Sequence, residues 1–200
     1  MNTQALILVD IQNDFLPGGA LGVPGGNEIV PLANDLMQQF EIVVATQDWH
    51  PPDHGSFAAN HPGRTVYETI DLHGLNQTLW PVHCVQETPG AGFAGDLNVD
   101  GITRVFQKGT RPEVDSYSGF HDNGHRHSTG MAEWLKSQGV TDVIICGIAT
   151  DYCVKFTALD ALKEGFGVTL RLDACRGVNV NPGDVDAAVA EMMKLGVAIQ

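Results

Sequence analysis

Three side chains in this sequence could together carry covalent hydrolysis: a thiol at Cys153, a carboxylate at Asp10 and an ammonium at Lys108. A thiolate attacks carbonyl carbon well, and a carboxylate can take the thiol proton and return it to a leaving group. Cys153 falls near the start of an expected helix, where free N–H groups and the helix dipole favour a thiolate. A nearby Lys108 would lower its pKa further. Taken alone, a cysteine at a helix start can equally be a small buried hydrophobe, and Lys108 with Asp10 can be a structural ion pair. A lysine directly after an apolar strand is nonetheless costly there unless something uses it.

A second pattern could hold a cation. In extended chain, residues two apart project to one side, so Asp48 and His50 can share an ion while Trp49 points away. A third ligand must come from elsewhere, and His83, in Trp80-Pro81-Val82-His83, is the best candidate. One Asp and two His with open positions suit catalysis rather than structure, with zinc the first choice and iron or manganese next. His54 stands close by, either as a fourth ligand or as a group supporting the ligands. His121, His125 and His127 crowd a polar loop with Asp122 and have no strand to fix them. They read as solvated loop, as do His61 and His73.

These residues need a frame. Short apolar runs at 5–9, 42–46, 103–106, 142–146 and 168–172 read as strands buried on both faces of a parallel sheet. Helical spacing appears between them. Ile29, Leu32, Leu36 and Phe40 share one face, and a second helix around 131–137 opens with Ser128 and Thr129 as caps. A third carries Val154, Ala158, Ala161 and Leu162 before Gly165, and a fourth runs from Asp184 toward Gly196. The order predicts an α/β fold, a three-layer α/β/α sandwich with a mostly parallel central sheet and right-handed crossovers, as one domain over residues 1–200. Ligands on such sheets bind beyond the carboxyl ends of the strands, which is where Asp10, Asp48, His50, Lys108 and the run Gly147 to Cys153 fall. Two stretches, 49–101 and 110–123, read as irregular, and long excursions of that kind are usually functional.

The composition narrows the partners. With 11 Lys+Arg against 24 Asp+Glu the formal net charge is −13, which argues against nucleic acid and anionic membrane surfaces. No apolar run approaches the roughly 20 residues of a spanning helix, and the first run lacks the basic flank of a signal peptide. Cys84, Cys146, Cys153 and Cys175 show no CxxC spacing, so reduced thiols in a cytoplasmic protein are the expectation. Self-association is left open.

The motifs in order, Leu8-Val-Asp-Ile-Gln-Asn-Asp-Phe15, Thr46-Gln-Asp-Trp-His50, Trp80-Pro-Val-His-Cys84, Phe106-Gln-Lys-Gly109, Asp115-Ser-Tyr-Ser118 and Gly147-Ile-Ala-Thr-Asp-Tyr-Cys-Val154, resemble the bacterial nicotinamidases of the isochorismatase-like hydrolase superfamily. The resemblance implies metal-assisted hydrolysis of nicotinamide to nicotinate and ammonia through a thioester, with pyrazinamide as an alternative substrate. It implies Cys153 as nucleophile, Asp10 as base and then acid, and Lys108 as the charge that holds both. It further implies an oxyanion hole from the backbone N–H groups of Ala149 and Cys153, commonly shaped by a cis peptide, here Ile148–Ala149. Phe15, Trp80 and Tyr117 match residues enclosing the pyridine ring, and Asp48, His50 and His83 match metal ligands. Three protein ligands are expected, with His54 outside the set. Two other readings compete: a related amide or ureido hydrolase, which typically lacks the Asp-x-His and Trp-Pro-x-His elements, and a non-catalytic metal-binding module.

Overall fold

The computed structural model describes residues 3–200. Six strands form one sheet: β1 (Thr3–Val9), β2 (Ile42–Asp48), β5 (Arg104–Lys108), β6 (Val140–Ile148), β7 (Gly167–Arg176) and β8 (Ala198–Ile199). Their spatial order is β5-β2-β1-β6-β7-β8, and every neighbouring pair is parallel. The remaining pair, β3 (Thr69–Leu72) and β4 (Leu75–Thr78), makes a separate antiparallel hairpin inside the first stretch read as irregular. Four helices connect the sheet: α1 (Ile29–Met37), α2 (Met131–Ser137), α3 (Lys155–Lys163) and α4 (Asp184–Leu195). The right-handed rule for parallel crossovers places α1 on one face and α2, α3 and α4 on the other, and α3 packs on α4. This is the α/β/α sandwich that the alternation of apolar runs and amphipathic segments predicts.

The central strands have the sequence that such a position demands. Ala5, Leu6, Ile7, Leu8 and Val9 of β1 are all buried, as are Val143, Ile144, Ile145 and Cys146 of β6. A strand covered on both faces cannot alternate apolar and polar residues. Two expectations at helix ends shift. The first helix stops at Met37, leaving Phe40 half-buried beyond it, and α2 starts after Gly130 rather than on a serine or threonine cap. Ser128 and Thr129 still serve that end, since their hydroxyls accept the N–H groups of Gly130 and Met131.

The direction of winding matters for function. From β1 the chain moves to β2 on one side, and from β6 it moves to β7 on the other, so the order reverses between neighbours β1 and β6. A crevice opens beyond the carboxyl ends of strands at such a reversal. Asp10 follows β1 directly, and the turn carrying Cys153 follows β6. Gly147, at φ 131°, lets these two strand ends meet, because a Cβ there would collide with the backbone of Val9. No helix among the described residues is long and apolar enough to cross a membrane.

Candidate active site

Lys108 and Asp48 are the last residues of adjacent strands β5 and β2 and lie opposite each other in register. Asp10 comes next along the sheet, after β1, and Cys153 after β6. The lysine side chain therefore reaches along the strand ends rather than out to solvent. Its Nζ meets Asp48 Oδ1 at 2.5 Å, Asp10 Oδ2 at 2.9 Å and Cys153 Sγ at 3.5 Å, and donates to the Ser116 carbonyl at 2.9 Å. An ammonium this deeply buried is tolerable because two carboxylates surround it. Burial opposes its charge, but Asp10 and Asp48 outweigh burial and hold its pKa well above the ordinary lysine value.

Asp10 has a left-handed backbone, φ 48°, a conformation that aspartate tolerates better than most residues. Thr46 fixes it twice: the hydroxyl donates to Asp10 Oδ1 at 2.6 Å and accepts the Asp10 N–H at 3.2 Å. Burial raises the Asp10 pKa to about 6 against the pull of Lys108, and the Asp48 charge adds to the rise. Asp48 behaves oppositely. Burial pushes its pKa up, but Lys108 and then His50 overcome that and hold it far below the usual carboxylate range. Two buried carboxylates on one lysine thus divide the work: one stays ionised, the other titrates near neutrality.

Cys153 lies in a π-helical turn, Thr150–Val154, that leads into α3, and its thiol comes within 4.8 Å of a carboxylate oxygen of Asp10. The expectation of a resting thiolate needs correction. Burial pushes the thiol pKa well up, Lys108 only partly offsets this, and Asp10 and Asp48 raise it again. The resting group is a neutral thiol beside a carboxylate, so ionisation must accompany proton transfer to Asp10. The Ile148–Ala149 peptide before this turn is cis, as expected. Within the turn, the N–H groups of Tyr152 and Val154 both donate to the Ala149 carbonyl at 3.0 Å.

Asp48, His50 and His83 bring one ligand atom each within 4.8 Å of one another. Both histidines are anchored through Nδ1, His50 at the Gly109 carbonyl and His83 at the Pro81 carbonyl, each at 2.8 Å. An Nδ1–H donated to a carbonyl leaves the Nε2 lone pair free, and both Nε2 atoms turn toward Asp48 Oδ2, at 3.6 and 3.9 Å. Gly109 is required for this approach, since a Cβ there would run into the His50 ring. Burial, the largest influence on it, holds the His83 pKa down at about 4, so His83 is a neutral donor at pH 7. His54 is fully buried, its ring lies 4.3 Å from that of His50 and tilted to it by 39°, and its Nε2 has no hydrogen-bond partner. It clusters with His50 and Asp115 rather than with Asp48 and His83. Two imidazoles with free Nε2 atoms, one carboxylate and an unpartnered nitrogen beside them fit a divalent ion.

A narrow pocket joins the two groups. Phe15, Trp80, Tyr117, Ala149 and Cys153 line it together with Asp48, His50 and His83, whereas Asp10, Lys108 and His54 do not reach its wall. Asp10 and Lys108 lie beneath it with no side-chain exposure. Trp80 Nε1 donates to the Tyr117 hydroxyl at 3.2 Å, and Tyr152 meets Trp80 edge-on at 4.8 Å. Tyr152, Asp115 and Val178 line the pocket without having been assigned roles. Tyr152 and Asp115 sit inside quoted motifs, whereas Val178 follows β7 in a loop with no pattern to mark it. His121, His125 and His127 pair instead with Glu164, Asp160 and Asp122, away from the ligand cluster.

The fold and its strand-end chemistry define an amide hydrolase of the α/β class. The chain belongs to the isochorismatase domain family, whose model matches residues 4–200. It is 49% identical over 203 residues to the nicotinamidase of Escherichia coli, covering 100% of this chain and 95% of that protein. A solved nicotinamidase/pyrazinamidase from Acinetobacter baumanii superposes with a TM-score of 0.96 at 46% identity, covering 100% of this chain and 96% of that one. The pyrazinamidase of Pyrococcus horikoshii, solved in complex with zinc, is 43% identical with a TM-score of 0.80 and 98% coverage of both chains.

Proposed function

We propose that this chain is a cytoplasmic nicotinamidase that hydrolyses nicotinamide to nicotinate and ammonia for NAD salvage, and accepts pyrazinamide as well. One observation carries the reading: the Cys153–Asp10–Lys108 cluster and the Asp48–His50–His83 cluster meet at a single aromatic-walled pocket. A ring the size of pyridine can be held at one end and attacked at the other. The full-length similarity to nicotinamidases supports that substrate over other amides. A divalent ion held by Asp48, His50 and His83, with zinc the favoured metal, would supply a Lewis-acid anchor for the ring nitrogen.

The residues perform the remaining steps. Asp10 takes the Cys153 proton as Sγ attacks the carboxamide carbon. Backbone N–H groups of Ala149 and Cys153 stabilise the tetrahedral oxyanion. Asp10 then returns its proton to the amine nitrogen, ammonia departs and a thioester to Cys153 remains. Asp10 next draws a proton from water, which attacks the thioester; nicotinate leaves and the thiol is restored. Lys108 keeps the carboxylates and the transient thiolate electrostatically balanced throughout. Phe15, Trp80 and Tyr117 bury and align the ring.

Asp10 must be ionised to accept the thiol proton, and its pKa is raised to about 6. The kcat/KM for nicotinamide is therefore expected to rise with pH up to about 6 and then level off. Below that point it should fall about tenfold per pH unit. A rate independent of pH between 4.5 and 7 in enzyme that remains folded would remove Asp10 from the role of base. Substrate choice is tested by comparing nicotinamide with benzamide, which lacks the ring nitrogen. Zinc-loaded protein should release ammonia and nicotinate in equal amounts and process benzamide at least about 100-fold less efficiently. Equal turnover of the two amides would contradict the anchoring of the ring, and no turnover of nicotinamide would contradict the function.

A further inference from the structure

The backbones of Asp48, His50 and His83, which come from two separate stretches of chain, are tied to one short segment after β1. Gln12 is fully buried. Its Nε2 donates to the carbonyls of Asp48 and Ala91, both at 2.9 Å, and its Oε1 accepts the Asp48 N–H at 2.8 Å. A single side-chain amide thus fixes the N–H and the carbonyl of one residue. Two positions on, Asp14 Oδ2 accepts the Cys84 N–H at 2.7 Å. That N–H belongs to the peptide joining His83 to Cys84. Cys84 holds a left-handed backbone, φ 45°, and its carbonyl accepts the His50 N–H at 3.0 Å. From Asp14, therefore, two bonds in succession reach both histidines. The same segment begins with Asp10 and ends with Phe15, and neither Gln12 nor Asp14 lines the pocket.

We propose that Gln12 and Asp14 are positioning residues that register the ion-binding cluster against the Asp10–Cys153 pair. The need for them follows from the chemistry. A ring anchored at one end and attacked at the other has its carbonyl placed by the distance between the two clusters, and a misplacement of about 1 Å can cost about 100-fold in rate. His50 and His83 lie outside the sheet strands, so β-pairing within the sheet does not alone set that distance. Hydrogen bonds from the segment that carries the base contribute to it, beside the sheet pairing of Asp48 and the Gly109 carbonyl on His50 Nδ1.

The inference rests on Asp48, His50 and His83 being ligands, and its test separates the two claims. Zinc affinity of chelator-stripped protein is measured by competition with a chromophoric chelator, alongside the visible spectrum of the Co²⁺-substituted form. Gln12→Met and Asp14→Ala should each weaken zinc binding about 10- to 100-fold and alter the cobalt spectrum. Asp14→Asn, which keeps an oxygen for the Cys84 N–H, should stay near the unsubstituted protein. A role confined to holding the fold would lower the metal-free Tm and leave the affinity of the folded fraction unchanged. If Gln12→Met does not fold, Gln12→Glu carries the same expectation, because it keeps the acceptor for Asp48 and loses both donations. Unchanged zinc affinity and cobalt spectrum in the folded variants would overturn the inference. Failure of the unsubstituted protein to bind zinc would overturn instead the ligand reading beneath it.

Discussion

Replacing Cys153 with alanine is expected to reduce ammonia release from nicotinamide by about 10⁴-fold or more while leaving the fold and zinc binding intact. The loss should be that large because, among the described residues, no other cysteine lines the pocket. Cys84, Cys146 and Cys175 are free and buried. Burial raises the pKa of all three, so they stay unreactive thiols at neutral pH. Retention of zinc follows from the separation of duties, since Cys153 is not one of the Asp48, His50 and His83 donors. Zinc affinity measured beside turnover therefore distinguishes a missing nucleophile from a damaged site. A metal-binding module with a bystander thiol would show no activity in either form, and an enzyme using activated water alone would keep most of its rate.

The second large effect belongs to Lys108. Substitution by methionine leaves Asp10 and Asp48 buried and facing one another with no ammonium between them. Removing one partner of a buried ionic cluster typically costs about 3–5 kcal/mol, and that loss is expected in urea unfolding of the metal-free protein at pH 8. The sign of its pH dependence is fixed by Asp10. In the variant the Asp10 pKa rises further, and protonation removes one of the two opposed charges. The stability difference should accordingly shrink as the pH is lowered through the raised pKa toward 5. Activity should fall about 10²- to 10⁴-fold at neutral pH, because a protonated Asp10 cannot take the thiol proton. Arginine should not rescue it, since the Lys108 side chain is wholly enclosed and a guanidinium fork needs more room. Equal stability of the two proteins at pH 8 would mean that the carboxylates are not held by this lysine.

Much of this site was legible because its residues break strong local patterns. Lys108 follows the short apolar pair Val105-Phe106 in a chain with 11 basic residues, and Asp48 and His50 interrupt another strand end with the period of extended chain. Asp10 follows a fully apolar run. Four of these strands pair in parallel next to one another, so residues at their carboxyl ends had to converge.

What escaped the sequence is non-local or environmental. The hairpin of β3 and β4 leaves no strand pattern in the sequence because its four-residue strands include Asp71, Asn76 and Gln77 and bury little. β8 is two residues long and could not signal its presence. The bonds from Gln12 to Asp48 and Ala91 cross 36 and 79 residues of chain, that from Asp14 to Cys84 crosses 70, and none leaves a periodic trace. The Cys153 thiol was expected to be acidic from its place before a helix, but its ionisation depends on burial and on two carboxylates that only the fold brings near.

The most direct measurement is ammonia release from nicotinamide by purified protein, taken zinc-loaded, after chelation and again after zinc is restored. Turnover in the loaded protein, loss on chelation, recovery with zinc and none at any stage from Cys153→Ala are the expected results. Absence of turnover in the loaded protein, or undiminished turnover from Cys153→Ala, would contradict hydrolysis of nicotinamide by this thiol.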